Sequence, residues 1–129
     1  ADHGRAAQLI ADAVFLSGLK MISTSDEGHS QDPWRPRVVY HYIQDQWIEP
    51  DVIVDISAFA EKKLEAIRAF QSQFHDPQSK EPETYISRPD FIDSLIYRAQ
   101  EIGKMIGVQY GEGFTTRRKP GVDSFFHLK

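Results

Sequence analysis

The chain has 129 residues, 40% hydrophobic and 26% charged, the composition of one globular domain with a core of its own. Its net charge is −4 and it has no cysteine. That excludes a disulfide scaffold and a thiolate metal site, so a metal would need His, Asp or Glu ligands, and it argues against a nucleic-acid binder with a basic face. No apolar run approaches the ~18 residues a membrane helix needs. Ala1–Gly4 is polar and shows no signal-peptide pattern, so the expected compartment is the cytoplasm.

The chain opens Ala1-Asp2-His3-Gly4 without an initiator Met. Candidate metal ligands standing ahead of any ordered element leave two explanations, a mature end after processing or a fragment whose upstream half is absent, and the fragment is the reading preferred on the grounds given below. Arg5–Leu19 then carries Ala7, Ile10, Val14 and Gly18 on one face at the helical period, with Gly18 in the closing turn. Ser23–Pro36 is rich in Ser, Asp, Gly, Glu and Pro and predicts a polar loop, long enough to cover something. Arg37–Ile43 is β-branched and aromatic and predicts a strand. Asp51–Ile56 predicts a second strand, apolar almost throughout and therefore expected to be buried on both faces.

Ser57 is placed to cap a second helix running to about Phe74, with Ala60, Leu64, Ile67, Phe70 and Phe74 as its inward stripe. His75–Glu83 predicts a loop broken at Asp76-Pro77. Pro89 suits the first turn of a third helix, with Ile92, Leu95, Ile96, Ala99, Ile102 and Ile106 inward and Gly107 at its end. Val108–Thr116 predicts a short last strand. The order is α, β, β, α, α, β. Three short strands do not cover three amphipathic helices, and an upstream βαβ half would supply the rest of the sheet.

Few residues carry chemistry unaided. Asp2 and His3 are a carboxylate and an imidazole, the common non-thiol zinc donors. Adjacent residues of a regular element do not both reach one metal, so one would bind while the other orients a partner; the plain alternative is a terminus with no site. His41 lies on the Tyr40-His41-Tyr42 strand and reads most simply as packed. His29, His75 and His127 read as exposed, and no two histidines have the helical spacing of a metal pair. Gln71-Ser72-Gln73-Phe74 closes the second helix, where open α/β sheets often contact ligands; ordinary helix-end polarity explains these residues equally well. Asp51 and Asp55 flank the apolar strand, where carboxylates usually satisfy backbone or Arg groups. Gly111-Glu112-Gly113 is either a tight turn or a site-lining acid. The chain has no nucleophile elbow, phosphate loop or dinucleotide fingerprint.

Taken in order, Asp2-His3-Gly4, the Tyr-rich strand, Pro50-Asp51-Val52-Ile53-Val54-Asp55-Ile56-Ser57, Lys63, Ser72-Gln73-Phe74 and Gly113-Phe114 resemble the LmbE-like (PIG-L) zinc deacetylases. The nearest subgroup is the bacillithiol biosynthesis deacetylases, which remove acetyl from N-acetylglucosaminyl malate. The resemblance covers nearly the whole chain. It implies an α/β fold, with residues 1–129 as the C-terminal part of a Rossmann-like, mostly parallel sheet domain with flanking helices. It implies zinc as cofactor, with His3 as the metal ligand of the family's second metal motif and Asp2 as that motif's catalytic Asp. The family's first motif, His-Pro-Asp-Asp, with its two further ligands and general base, would lie in the missing N-terminal half. Gln73 would line the sugar pocket. Where some relatives carry a Tyr that polarises the carbonyl, this chain has Phe91, and Tyr85 nearby is the candidate substitute.

The resemblance thus implies a metal-dependent hydrolase acting on a small amino-sugar conjugate, with neither nucleic acid nor membrane as partner, and a homo-oligomer. The competing reading is a non-catalytic structural or binding subunit packing against a separate N-terminal chain. A generic carbohydrate binder, resting on the 12% aromatic content alone, ranks last, since aromatics are more often core.

Overall fold

The computed structural model describes residues 2–70, 73–74, 80 and 82–128. The chain divides into two compact units, Ala1–Val39 and Tyr40–Lys129.

In the first unit, helix α1 spans Asp2–Leu16. Ala6, Ala7, Ala11 and Ala13 give it four of the best helix formers. It starts three residues earlier than the sequence predicts and takes Asp2 and His3 into its first turn. Its C-terminal carbonyls are met by the segment that returns to it. The Arg35 guanidinium donates to the Phe15 carbonyl at 3.0 Å and sits 5.2 Å from the Phe15 ring centroid. The Trp34 N–H donates to the Ser17 carbonyl at 2.9 Å. A cation at a helix C-terminus is favourable for the same reason that the exposed carbonyls need donors.

The expected polar loop contains a hairpin, which is a correction. Strands β1 (Thr24–Asp26) and β2 (His29–Gln31) pair antiparallel, Thr24 opposite Gln31 and Asp26 opposite His29. The two residues between them, Glu27 at φ 47° and Gly28 at φ 81°, both adopt the left-handed region, as a type I′ turn requires. Both strands are exposed and polar, so they lack the apolar alternation that marks a strand in sequence.

In the second unit, β3 (His41–Tyr42), β4 (Val52–Asp55) and β5 (Gly111–Thr115) form a sheet in the order β3-β5-β4. Both pairings are antiparallel, with His41 opposite Thr115 and Ile53 opposite Gly113. The expected Rossmann-like parallel sheet is therefore not what the described residues form; every strand pairing among them is antiparallel. An apolar run does not say which way a strand's neighbour points. The chain is nonetheless mixed α/β. The apolar run of β4 predicts burial on both faces, and this too is corrected. β4 pairs with β5 alone among the described strands, and Val54 is 46% exposed.

Ser57–Phe59 is a single 3₁₀ turn leading into α2, Ala60–Arg68. Ser57 does not cap this helix. Its hydroxyl accepts from the Tyr110 N–H at 3.1 Å and lies 3.4 Å from the Tyr110 carbonyl, tying the start of α2 to the approach to β5. α2 ends at Arg68, short of the expected Phe74; Gln71 and Ser72 lie outside the described residues. α3 spans Phe91–Lys104, so Pro89 precedes it rather than entering its first turn. Its end follows expectation. Gly107 has φ 73°, its N–H donates to Lys104 and the Val108 N–H to Gly103, which together satisfy the last carbonyls in the Schellman pattern.

The core lies where α3 meets β5. Ile102 is 6% exposed, and Gly103, Gly111 and Gly113 are buried beside it. Arg98 reaches from α3 to the carbonyls of Gln44 and Asp45, both at 2.6 Å. Asp51 accepts from the Thr116 N–H at 2.9 Å and pairs with Lys119 at 2.7 Å. Lys63 of α2 pairs with Glu112 of β5 at 2.6 Å.

Candidate functional site

The residues expected to carry function fall in both units. Asp2 and His3 belong to the first, on the exposed first turn of α1. Gln73 and Tyr85 belong to the second. Consecutive helical positions point about 100° apart, so Asp2 and His3 do not present two donors to one ion. Among the described residues, no group of three His, Cys, Asp or Glu side chains comes together to hold a metal. An exposed imidazole in a first helical turn fits a single position of a metal site, and the described residues do not make up the whole of one.

The other candidates have structural partners. His41 is in β3 opposite Thr115, and His29 in β2 opposite Asp26. His127 lies in a 3₁₀ turn, Phe125–His127; His75 lies outside the described residues. Asp55 accepts from the Ser57 N–H at 3.0 Å. Asp51 is held below its ordinary carboxylate pKa of 3.8, first by the hydrogen bond from Lys119 and then by the Thr116 N–H. Glu112, the acid between two buried glycines, is engaged by Lys63. The three carboxylates, Asp51, Asp55 and Glu112, thus serve to hold neighbouring segments together.

A different picture holds where α2 has ended and α3 begins. Thr84 and Ser87 form a reciprocal capping box, the Thr84 N–H donating to the Ser87 hydroxyl at 2.8 Å. This pins the 3₁₀ turn Tyr85–Ser87. Arg88 and Asp90 then form two hydrogen bonds at 3.0 and 3.1 Å, which engages the Asp90 side chain, and it makes no cap bond to α3. Phe91 opens α3 at the centre of three rings. Phe74 stacks on it with centroids 5.7 Å apart and planes at 18°, and Tyr85 meets it edge-on at 5.6 Å and 80°. Such pairs contribute about 0.5–1.5 kcal/mol each beyond the area they bury. Gln73, exposed, adjoins Phe74, and its N–H donates to the Phe70 carbonyl at 3.0 Å. The two residues expected to contact substrate thus stand beside, or within, one aromatic cluster.

The sequence singles out Phe91 only for the hydroxyl it lacks. Its central place among the rings was missed, and the signal was present: aromatic residues at 74, 85 and 91 around helix boundaries. The Lys63–Glu112 pair was missed as well, because nothing in the sequence joins two residues so far apart along the chain.

The fold has a clear counterpart. A solved structure of a conserved protein from Thermus thermophilus superposes with a TM-score of 0.72 over 94% of this chain and 48% of that one, at 25% identity. In sequence, the chain is similar to the diacetylchitobiose deacetylase of Thermococcus kodakarensis, 34% identical over 127 residues, which is 98% of this chain and 42% of the relative. No family model matches the chain. The chain therefore spans less than half the length of the proteins it resembles. No helix among the described residues is long and apolar enough to cross a membrane.

Proposed function

We propose that this chain is the metal-ligand-bearing and sugar-binding part of a zinc-dependent N-deacetylase of the LmbE-like family. The observation that carries the proposal is the 34% identity, sustained over 98% of the chain, to a protein named as a diacetylchitobiose deacetylase. The reaction is hydrolysis of an N-acetyl amide on a glucosamine-type sugar: water adds to the acetyl carbonyl, the C–N bond breaks, and acetate and the free amine leave. Within this reading His3 supplies one ligand of the metal and Asp2 is the catalytic carboxylate beside it. Zinc, when bound, would bring the pKa of a coordinated water toward ~7 and polarise the carbonyl. The remaining ligands and the general base belong to the part of the fold that this chain does not span.

Gln73 and Tyr85 are assigned to the sugar. A pyranose offers hydroxyls to an amide and a C–H face to an aromatic ring, and ligand sites combine apolar and aromatic walls with a few placed polar groups. The substrate proposed is N-acetylglucosaminyl malate of bacillithiol biosynthesis, and the enzyme is taken to be a cytoplasmic homo-oligomer. The subgroup assignment rests on the sequence resemblance, and the similarity to a chitobiose deacetylase supports the glucosamine-type sugar more directly than the malate.

The test is acetate release by the zinc-loaded full-length protein from N-acetylglucosaminyl malate, N,N′-diacetylchitobiose and N-acetylglucosamine, with bound zinc measured in parallel. His3→Ala should lower both zinc content and acetate release. Unchanged acetate release in that variant would remove the role given to His3. Release from chitobiose alone would move the substrate, and release from none of the three would return the chain to the non-catalytic subunit reading.

A further inference from the structure

Phe91 touches both segments to which the sugar has just been assigned. Its own position is fixed on each side: the Phe91 N–H donates to the Arg88 carbonyl at 3.2 Å, and its carbonyl accepts from the Ser94 hydroxyl at 2.6 Å. Tyr85 lies on the turn pinned by Thr84 and Ser87, is 60% exposed, and leans edge-on against the Phe91 ring. Phe74, the residue next to Gln73, lies flat on the same ring. A single side chain, at the N-terminal end of a 14-residue helix, therefore contacts the Tyr85 ring and the ring of Phe74, the residue that follows Gln73.

We infer that Phe91 is the positioning residue of the sugar site, setting Tyr85 through an edge-to-face contact and Gln73 through the stacked Phe74. The inference rests on the deacetylase reading above and deepens it. Phe91 acts through its ring, so the hydroxyl that it lacks is not what this position contributes. An aromatic edge held against a neighbouring face has a preferred direction as well as a contact distance, and a ring with such a neighbour loses less freedom when a ligand arrives. Removing the Phe91 ring should consequently weaken sugar binding while leaving the bond-breaking step nearly intact.

The test is steady-state deacetylation, by the zinc-loaded full-length protein, of whichever of N-acetylglucosaminyl malate, N,N′-diacetylchitobiose and N-acetylglucosamine the wild type hydrolyses, comparing Phe91→Leu, Phe91→Tyr, Tyr85→Ala and the Phe91→Leu, Tyr85→Ala pair. Phe91→Leu should raise KM about tenfold with kcat within about twofold, the signature of lost binding shared by ground and transition states. Phe91→Tyr, which keeps the ring, should restore KM. In the Tyr85→Ala background, Phe91→Leu should add much less than it does alone, because residues acting through one contact are not additive. Should Phe91→Leu fail to fold, Phe91→Met takes its place in the cycle. If Tyr85→Ala raises KM while Phe91→Leu leaves it unchanged, or if their effects simply multiply, the positioning role is overturned and the deacetylase reading stands. If no form, wild type included, releases acetate from any of the three substrates, the deacetylase reading falls and the positioning role with it.

Discussion

Gly103 of α3 and Gly111 of β5 meet backbone to backbone. A Cβ on Gly103 would lie 2.8 Å from the Val108 carbonyl oxygen and 2.9 Å from the Gly111 nitrogen, and one on Gly111 would lie 2.8 Å from the Gly103 nitrogen. Main chain bounds both sides, so no side chain can rotate away to make room. Gly103→Ala should therefore destabilise the protein by about 1–3 kcal/mol, the usual cost of overpacking a close-packed core. Gly4, also helical, has nothing within 4 Å of where a Cβ would stand, and Gly4→Ala should be neutral or stabilising by up to roughly 1 kcal/mol. Denaturant titration of the two variants distinguishes a packing effect from a general glycine effect.

The end of α3 gives a separate test of backbone conformation. Gly107 stands at φ 73° with open space where a Cβ would go, so any cost of substitution there is conformational rather than steric contact. Gly107→Ala should cost about 1–2 kcal/mol. Gly107→Asn should cost less, because Asn tolerates the left-handed region better than other non-glycine residues. Equal losses for Ala and Asn would contradict this account.

Asp51 should make stability depend on pH in a predictable direction. Its folded pKa is lowered below 3.8, first by the Lys119 hydrogen bond and then by the Thr116 N–H. The native state therefore binds the proton less readily than the unfolded chain. The stabilisation is complete above the unfolded value and disappears as pH falls through the lower folded value. Asp51→Asn should melt below the wild type at neutral pH, and the gap should close in acid below 3.8. A gap that persists unchanged in strong acid would show that the contact matters for shape and not for charge.

The Lys63–Glu112 pair should contribute little in spite of its 2.6 Å separation, since both side chains remain partly exposed. A double-mutant cycle with Lys63→Met and Glu112→Gln should give a coupling of about 0.2–1 kcal/mol. Raising the salt to about 1 M, where the screening length is about 3 Å, should reduce it. A coupling above this range would mean that the pair is more enclosed than its exposure indicates.

Sequence patterns are legible wherever the deciding physics is local. Gly107 ends α3 because a left-handed residue is needed there, and Val52–Asp55 and Gly111–Thr115 are strands as their β-branched and glycine-flanked segments predict. Strand direction was not legible. Val52-Ile53-Val54 is equally apolar in a parallel interior or an antiparallel edge, and only the pairing with Glu112–Phe114 decides. The β1–β2 hairpin escapes notice because its strands are polar and its turn, Glu27-Gly28, is a less familiar pair than Asn-Gly. Asp2, His3, Gln73 and Tyr85 stand out chiefly by family resemblance. The ring contacts that unite Phe74, Tyr85 and Phe91 depend on packing between segments that no periodicity connects.

The strand order β3-β5-β4 has a consequence for how the chain is made. Both β3 and β4 find their described partner in β5, which a ribosome synthesises long after either of them. Until Gly111–Thr115 emerges, β3 and β4 lack the one ladder partner that the described residues give them. Loop closure over that span must precede any reward from the sheet. The nascent chain should therefore stay protease-sensitive through this region until synthesis passes β5, and then become resistant in a single late step.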